Sequence, residues 1–181
     1  MARTTAQDLV LEVLKNADNE WTGKTRLFKA FYFAHLYYAR DNPGRLTKWP
    51  IARLPKGPGI HDGEKLLGEL EQAGYLTIEQ VHEGPYPEQR YRLTERAQQV
   101  QNIPDDARAA IKEATLFCKD KSAVLLSQLT HEYSRSWNEG KDGEILNIYV
   151  DLIPEDEYVA RQGTIDEMDK LLERAIGEIA E

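Results

Sequence analysis

Tyr75-Leu-Thr-Ile-Glu-Gln-Val81, then His82-Glu-Gly-Pro-Tyr-Pro-Glu88, then Gln89-Arg-Tyr-Arg-Leu93: polar and apolar positions roughly alternate on both arms, and one glycine and two prolines crowd the middle. Period-two alternation on either side of a turn-rich segment predicts a β-hairpin. On its amino-terminal side, His61 to Ala73 places Leu66, Leu67 and Leu70 at helical spacing, with Gly74 as a left-handed cap. On its carboxy-terminal side, Thr94-Glu-Arg-Ala97 opens another helix behind a threonine cap.

Further out, Thr5-Ala-Gln-Asp8 forms a helix-starting arrangement, and Leu9, Val10, Val13 and Leu14 repeat at helical spacing until Asn16-Ala-Asp-Asn19 breaks the pattern. A second helix begins near Thr22, runs through Leu27, Phe28, Phe31, Tyr32, His35, Leu36 and Tyr38, and stops at Asp41-Asn-Pro-Gly44. Its apolar residues cover most of the circumference, which predicts a central buried helix with Phe31, Phe33 and His35 in the core. Pro43 to Pro58, rich in proline and glycine and anchored by Trp49 and Ile51, predicts a long structured loop. After a joint at Asn102-Ile-Pro104, helices are predicted over Ala107–Lys119 and Ser122–Tyr133. Ile145 to Ile153 is apolar without a settled period, and Thr164-Ile-Asp-Glu167 reads as a capping box that opens a final helix. The order helix, Gly-Tyr-Leu, hairpin, Leu-Thr-Glu is that of winged-helix proteins. The expected fold class is therefore mainly α, an α+β arrangement with a winged-helix-like hairpin forming a small two-stranded antiparallel sheet. A single domain over 1–181 is expected, with a winged-helix-like part over 1–101 and a helical, acidic part over 102–181.

The net charge of -8 is uneven: residues 1–100 carry 14 basic against 13 acidic side chains, and residues 101–181 carry 9 against 18. Lys24 to Lys56 holds eight basic residues against Asp41 alone, so a basic face beside an acidic half is expected. Cys118 is the only cysteine and cannot form an intramolecular bridge. With no secretory run at the amino terminus and no apolar stretch near the ~20 residues of a bilayer span, a reducing cytoplasm is the expected compartment.

Catalytic signatures are sparse. His35, His61, His82 and His131 show no metal-ligand spacing, so no metal site is expected. His35 sits on an apolar helix face, where a hydrogen-bonded core imidazole is the default; His131, in Leu129-Thr-His-Glu132, could equally be an oriented or a merely satisfied group. Gly57-Pro-Gly59 beside Lys56 lacks the Gly-Lys-Ser/Thr ending of a phosphate loop, so no nucleotide cofactor is expected. The chain is expected to be a binding protein rather than an enzyme.

Three stretches together resemble the Panacea antitoxin domain, a family of SocA-like and phage-associated proteins. Lys29-Ala-Phe-Tyr-Phe-Ala-His-Leu-Tyr-Tyr38 is similar to its Lys-Leu-Leu-Tyr-Phe-Ala-His signature, and Lys56-Gly-Pro58 stands where the family has Lys-Tyr-Gly-Pro, without the aromatic residue. Leu129-Thr-His-Glu132 followed by Ser136-Trp137 is similar to its Leu-Thr-His and Trp pattern, and Tyr149 to Tyr158 to its closing isoleucine-rich stretch. The resemblance implies an antitoxin of a toxin–antitoxin system that neutralises a cognate toxin protein by direct protein binding. The contact surface it suggests comprises Tyr38, Trp49, Lys56, Gly57, Pro58, His131 and Trp137, with Thr130 joining the structural core. Two further partners stay open. DNA could meet Arg90 and Arg92 of a winged-helix regulator, although Lys65 is the only basic residue of the third helix, and a second copy of the chain could form a homo-oligomer.

Overall fold

A computed structural model describes residues 4–84, 86–98 and 103–179. Helix α1 (Ala6–Asn16) starts where the capping residues place it: Thr5 Oγ1 accepts from the Asp8 amide, and the Asp8 carboxylate accepts from the Thr5 amide, both at 3.0 Å. Leu9, Val10, Val13 and Leu14 face inward and are fully buried. Asp18 and Asn19 then take positive φ angles. That turn leads into a strand that the sequence pattern does not predict, β1 (Glu20–Thr22). Three residues holding one apolar side chain, Trp21, give too short a pattern to separate from a helix start.

Helix α2 (Lys24–Asp41) is the central element, packed by α1, by helix α5 (Asp105–Lys119) and by helix α6 (Ala123–Tyr133). Phe31 and His35 are buried as expected, while Phe33 is half-buried against the edge of the Phe117 ring at 4.9 Å. Helix α6 is capped by Ser122, whose hydroxyl accepts from the Leu125 amide at 3.2 Å. Asn102, part of the expected joint, lies outside the described residues.

The expected hairpin is present as β4 (Leu76–Val81) and β5 (Glu88–Leu93). It follows α3 (Gly63–Gln72), whose Leu66, Leu67 and Leu70 are buried, and Gly74 turns the chain at φ +74. The sheet has three antiparallel strands rather than two, in the order β1-β5-β4, with Trp21 opposite Tyr91 and Leu76 opposite Leu93. The Thr94 hydroxyl donates to the Gly74 carbonyl at 2.7 Å, tying the short helix α4 (Glu95–Gln98) back to the end of α3. The chain is thus mainly helical with a small antiparallel sheet, in winged-helix-like order.

Two stretches fold otherwise than expected. The stretch from Pro43 to Pro58 is not loop throughout: Ile51–Leu54 (β2) and Gly57–Ile60 (β3) form a second hairpin around the two-residue turn Pro55-Lys56. Its prolines and glycines hid it, because proline is tolerated in a ladder only on an edge strand such as β3. Along β2 the far side is covered by residues 143–146, with the Arg53 amide donating to the Glu144 carbonyl and the Leu146 amide to the Ile51 carbonyl, both at 2.8 Å. The ambiguous apolar stretch therefore splits into a bridge at Ile145 opposite Ala52 and a 3-10 turn over Ile148–Leu152. Nor does Thr164 open the last helix. That helix, α8 (Glu155–Ile179), starts after Pro154 with three acidic residues in its first turn, and the Thr164 hydroxyl donates to the Ala160 carbonyl one turn back at 3.1 Å. Acidic residues at an amino-terminal turn favour that earlier start. A short helix α7 (Arg135–Glu139), begun by Ser134, was not expected either.

The chain divides into two compact units, Met1–Asp151 and Leu152–Glu181. No described helix is long and apolar enough to cross a membrane.

Replacing Thr5 with alanine removes one half of the α1 capping box. The expected loss of unfolding free energy is about 1 kcal/mol, read from urea denaturation followed by circular dichroism.

Candidate functional site

Lys29 lies three residues before Tyr32 and seven before Leu36, so helical geometry carries its stem onto the buried side of α2. It is only 1% exposed. Its ammonium donates to the carbonyl of Pro58 on β3 at 3.0 Å. Beside that contact Gly57 has φ +100, and a methyl group placed there would overlap both Lys29 Nζ and Thr130 Oγ1. Thr130, on α6 and 2% exposed, holds its hydroxyl against the Leu126 and Ser127 carbonyls at 3.0 Å.

The next residue, His131, stacks on Trp137 with ring centroids 4.0 Å apart and planes 10° from parallel. Trp137 Nε1 donates to the Leu54 carbonyl at 2.8 Å, and Arg53 lays its guanidinium over the same indole at 4.3 Å while its Nε donates to the Trp137 carbonyl at 2.9 Å. Residues 29, 53–58, 130–131 and 137, distant in sequence, thus meet around one turn. Lys56 is at its tip and exposed.

Of the seven residues expected to contact a partner, Gly57, Pro58, Lys56, His131 and Trp137 are brought together here. Trp49 and Tyr38 are not. Trp49 donates its indole N–H to the His61 carbonyl at 2.7 Å and lines a separate cleft with His35 and Tyr149; the Tyr38 hydroxyl reaches toward Asp106 at 3.4 Å. Lys29 and Arg53 are central to the cluster; Lys29 belongs to the aromatic-helix stretch, and Arg53 to none of the three motif stretches. The signal for Lys29 was its position on the apolar stripe of α2.

Burial controls the electrostatics. It pushes the Lys29 ammonium down to about 7. It pushes His35 down to about 4, so the imidazole is neutral, with one nitrogen bonded to the Phe31 carbonyl at 2.9 Å and the other to the Thr47 hydroxyl at 3.0 Å. His131 is lowered by burial and then by the positive charges of Lys29 and Arg53, and its Nε2 is buried without a hydrogen-bond partner. The Cys118 thiol is raised to about 12 by burial, which removes its thiolate at neutral pH. Both nitrogens of His35 are committed to the Phe31 carbonyl and the Thr47 hydroxyl, so His35 shares no hydrogen bond with His131 or Glu132.

Asp151 supports the cluster from below. Its carboxylate accepts from the Tyr32 hydroxyl at 2.6 Å, the Ser136 amide at 2.7 Å and the hydroxyls of Ser134 and Ser136 at 2.9 Å. One side chain thereby fixes the start of α7, and with it Trp137, to α2. In front of the turn, a cleft of about 540 Å³ opens between α2, the β2–β3 hairpin and the first residues of α3. The Phe28 ring forms one wall, close enough to Gly63 that a side chain there would require the ring to move. Asp62, preceding α3, is left-handed at φ +49 and does not cap the helix.

Comparison with protein-family models, curated proteins and solved structures finds no match to the chain.

A lysine whose folded pKa is about 7 and whose unfolded pKa is about 10.4 binds fewer protons in the folded state between those values, so stability rises with pH across that window. Cys118 acts in the opposite sense above about 9, and the difference between wild type and Lys29→Met isolates the lysine. From pH 7 to pH 9 that difference should change by about 2 kcal/mol in urea titrations, with wild type gaining on the variant.

Proposed function

We propose that this chain is an antitoxin, one half of a toxin–antitoxin pair or a phage-associated protein, and that it neutralises its toxin by direct protein binding without catalysing a reaction. The observation that carries the reading is the convergence around Gly57. The three stretches on which the resemblance to the Panacea antitoxin domain rests meet through Lys29 Nζ on the Pro58 carbonyl, Thr130 against Gly57, and Trp137 Nε1 on the Leu54 carbonyl. Short motifs matched by chance would have no reason to share one junction. Stacked aromatic and guanidinium groups, here His131, Trp137 and Arg53, are the side chains that carry energy at protein interfaces. Helix α6 adds exposed Val124, Leu125 and Tyr133, apolar surface of the kind that partners cover.

A winged-helix regulator on DNA is disfavoured by the wing itself. Arg90 pairs with Glu20 and Glu83, and Arg92 with Glu20 and Glu79, while α3 presents Glu64, Glu69 and Glu71 to solvent. Arginines already neutralised release few counterions on a phosphate backbone.

The test is co-expression with the product of the adjacent open reading frame. That product should arrest growth alone and lose toxicity when this chain is present. A harmless neighbour, or toxicity that persists, would refute the reading.

A further inference from the structure

We propose that the cleft between α2, the β2–β3 turn and the start of α3 receives an acidic side chain of the partner protein, an aspartate or glutamate flanked by apolar residues. The inference deepens the antitoxin reading, from which it takes the polypeptide nature of the occupant.

Charge complementarity selects that occupant. On a chain of net charge -8, this cleft is lined by Lys24, Lys29, Lys56 and Lys65 against Asp62 and Glu64. Lys24 is held by Glu64. Lys56 and Lys65 are exposed at the rim, with no ionic partner among the described residues, and attract an anion from solution. Deeper in, Lys29 uses one of its three N–H groups, on the Pro58 carbonyl, and makes no other hydrogen bond among the described residues. An ammonium in that state is a strong donor for a carboxylate that reaches it, because water no longer competes.

Helix α3 adds a second, weaker attraction. Its first turn has no side-chain cap, since the Asp62 carboxylate turns to His61 at 3.5 Å instead. Its amino-terminal residues line the cleft, and the acid of that turn, Glu64, is held by Lys24. Between the charges, Phe28, Leu54, Pro58 and Ile60 give apolar walls. A free phosphate or a nucleic-acid backbone would leave these walls unused, whereas a carboxylate presented between apolar residues matches both features, and the volume of about 540 Å³ suits a short peptide segment.

Binding has a proton signature. The titratable groups acting around Lys29 are Cys118 on α5 and His131 on α6, together with the lysines and acids of the cleft. A carboxylate seated against the Lys29 amine favours its protonated form, so the complex takes up a proton from buffer on the alkaline side of neutrality.

The experiment titrates the full chain calorimetrically at pH 8, in two buffers of different ionisation enthalpy. The probe is the capped peptide Phe-Glu-Leu-Glu-Phe, with Phe-Lys-Leu-Lys-Phe as control. The acidic peptide should bind saturably with net proton uptake. The double variant Lys56→Glu/Lys65→Glu, changed only at exposed positions, should bind roughly tenfold more weakly. Lys29→Met should lose the proton uptake. Equal binding of the lysine peptide, no binding of the acidic one up to ~10 mM, indifference to the double charge reversal, or unchanged proton uptake in Lys29→Met would each overturn the proposal. Successful neutralisation of the toxin with a negative titration would fault the cleft, and the reverse pattern would fault the antitoxin reading.

Discussion

A buried ammonium is costly, and Lys29 is buried on the central helix with one carbonyl as its hydrogen-bond partner. That single bond dictates much of what surrounds it. The carbonyl belongs to Pro58, so β3 must run beside α2. The residue before Pro58 must leave room for Nζ and for Thr130 Oγ1 while taking a left-handed backbone, and only glycine does both. The β2–β3 hairpin is therefore held to the core by the close approach at its turn as well as by the buried side chains of Ile51 and Ile60.

The second restraint is Asp151, which draws Tyr32, Ser134 and Ser136 onto one carboxylate. Since Ser134 also begins α7, the Trp137 indole is fixed where it can meet both His131 and the Leu54 carbonyl. The wing contributes differently. Its outer face is laced by exposed arginine–glutamate pairs, which typically contribute less than about 1 kcal/mol each, so the wing depends on buried Trp21, Leu76 and Tyr91 more than on its charges.

Where local chemistry decides the structure, the sequence was readable. The Thr5–Asp8 cap, the leucine spacing of α3, the Gly74 turn and the alternation of β4 and β5 each carry their own signal. What escaped was decided at a distance. Strand β1 exists because β5 pairs with it, and β2–β3 exists because α2, α6 and residues 143–146 cover a segment whose prolines argue against a ladder. Thr164 illustrates the opposite hazard: its local capping pattern is genuine, but Pro154 and the acids after it start the helix earlier. At the site, the motif residues could be quoted, yet the role of Lys29 depended on which way a lysine inside an aromatic helix points. Arg53 had no local signal, because its partners Trp137 and Asp142 lie more than eighty residues away.

Lys29 and Thr130 approach Gly57 closely, and Gly44 provides an internal control. Both glycines have left-handed backbones, at φ +100 and +94, but a methyl group at Gly44 would meet nothing within 4 Å. Alanine at either position brings the same backbone strain, and only at position 57 does it also collide. Urea unfolding of Gly57→Ala and Gly44→Ala should show the former less stable by a further 1–3 kcal/mol, as an order of magnitude. Equal losses in the two variants would contradict the central role given to that junction.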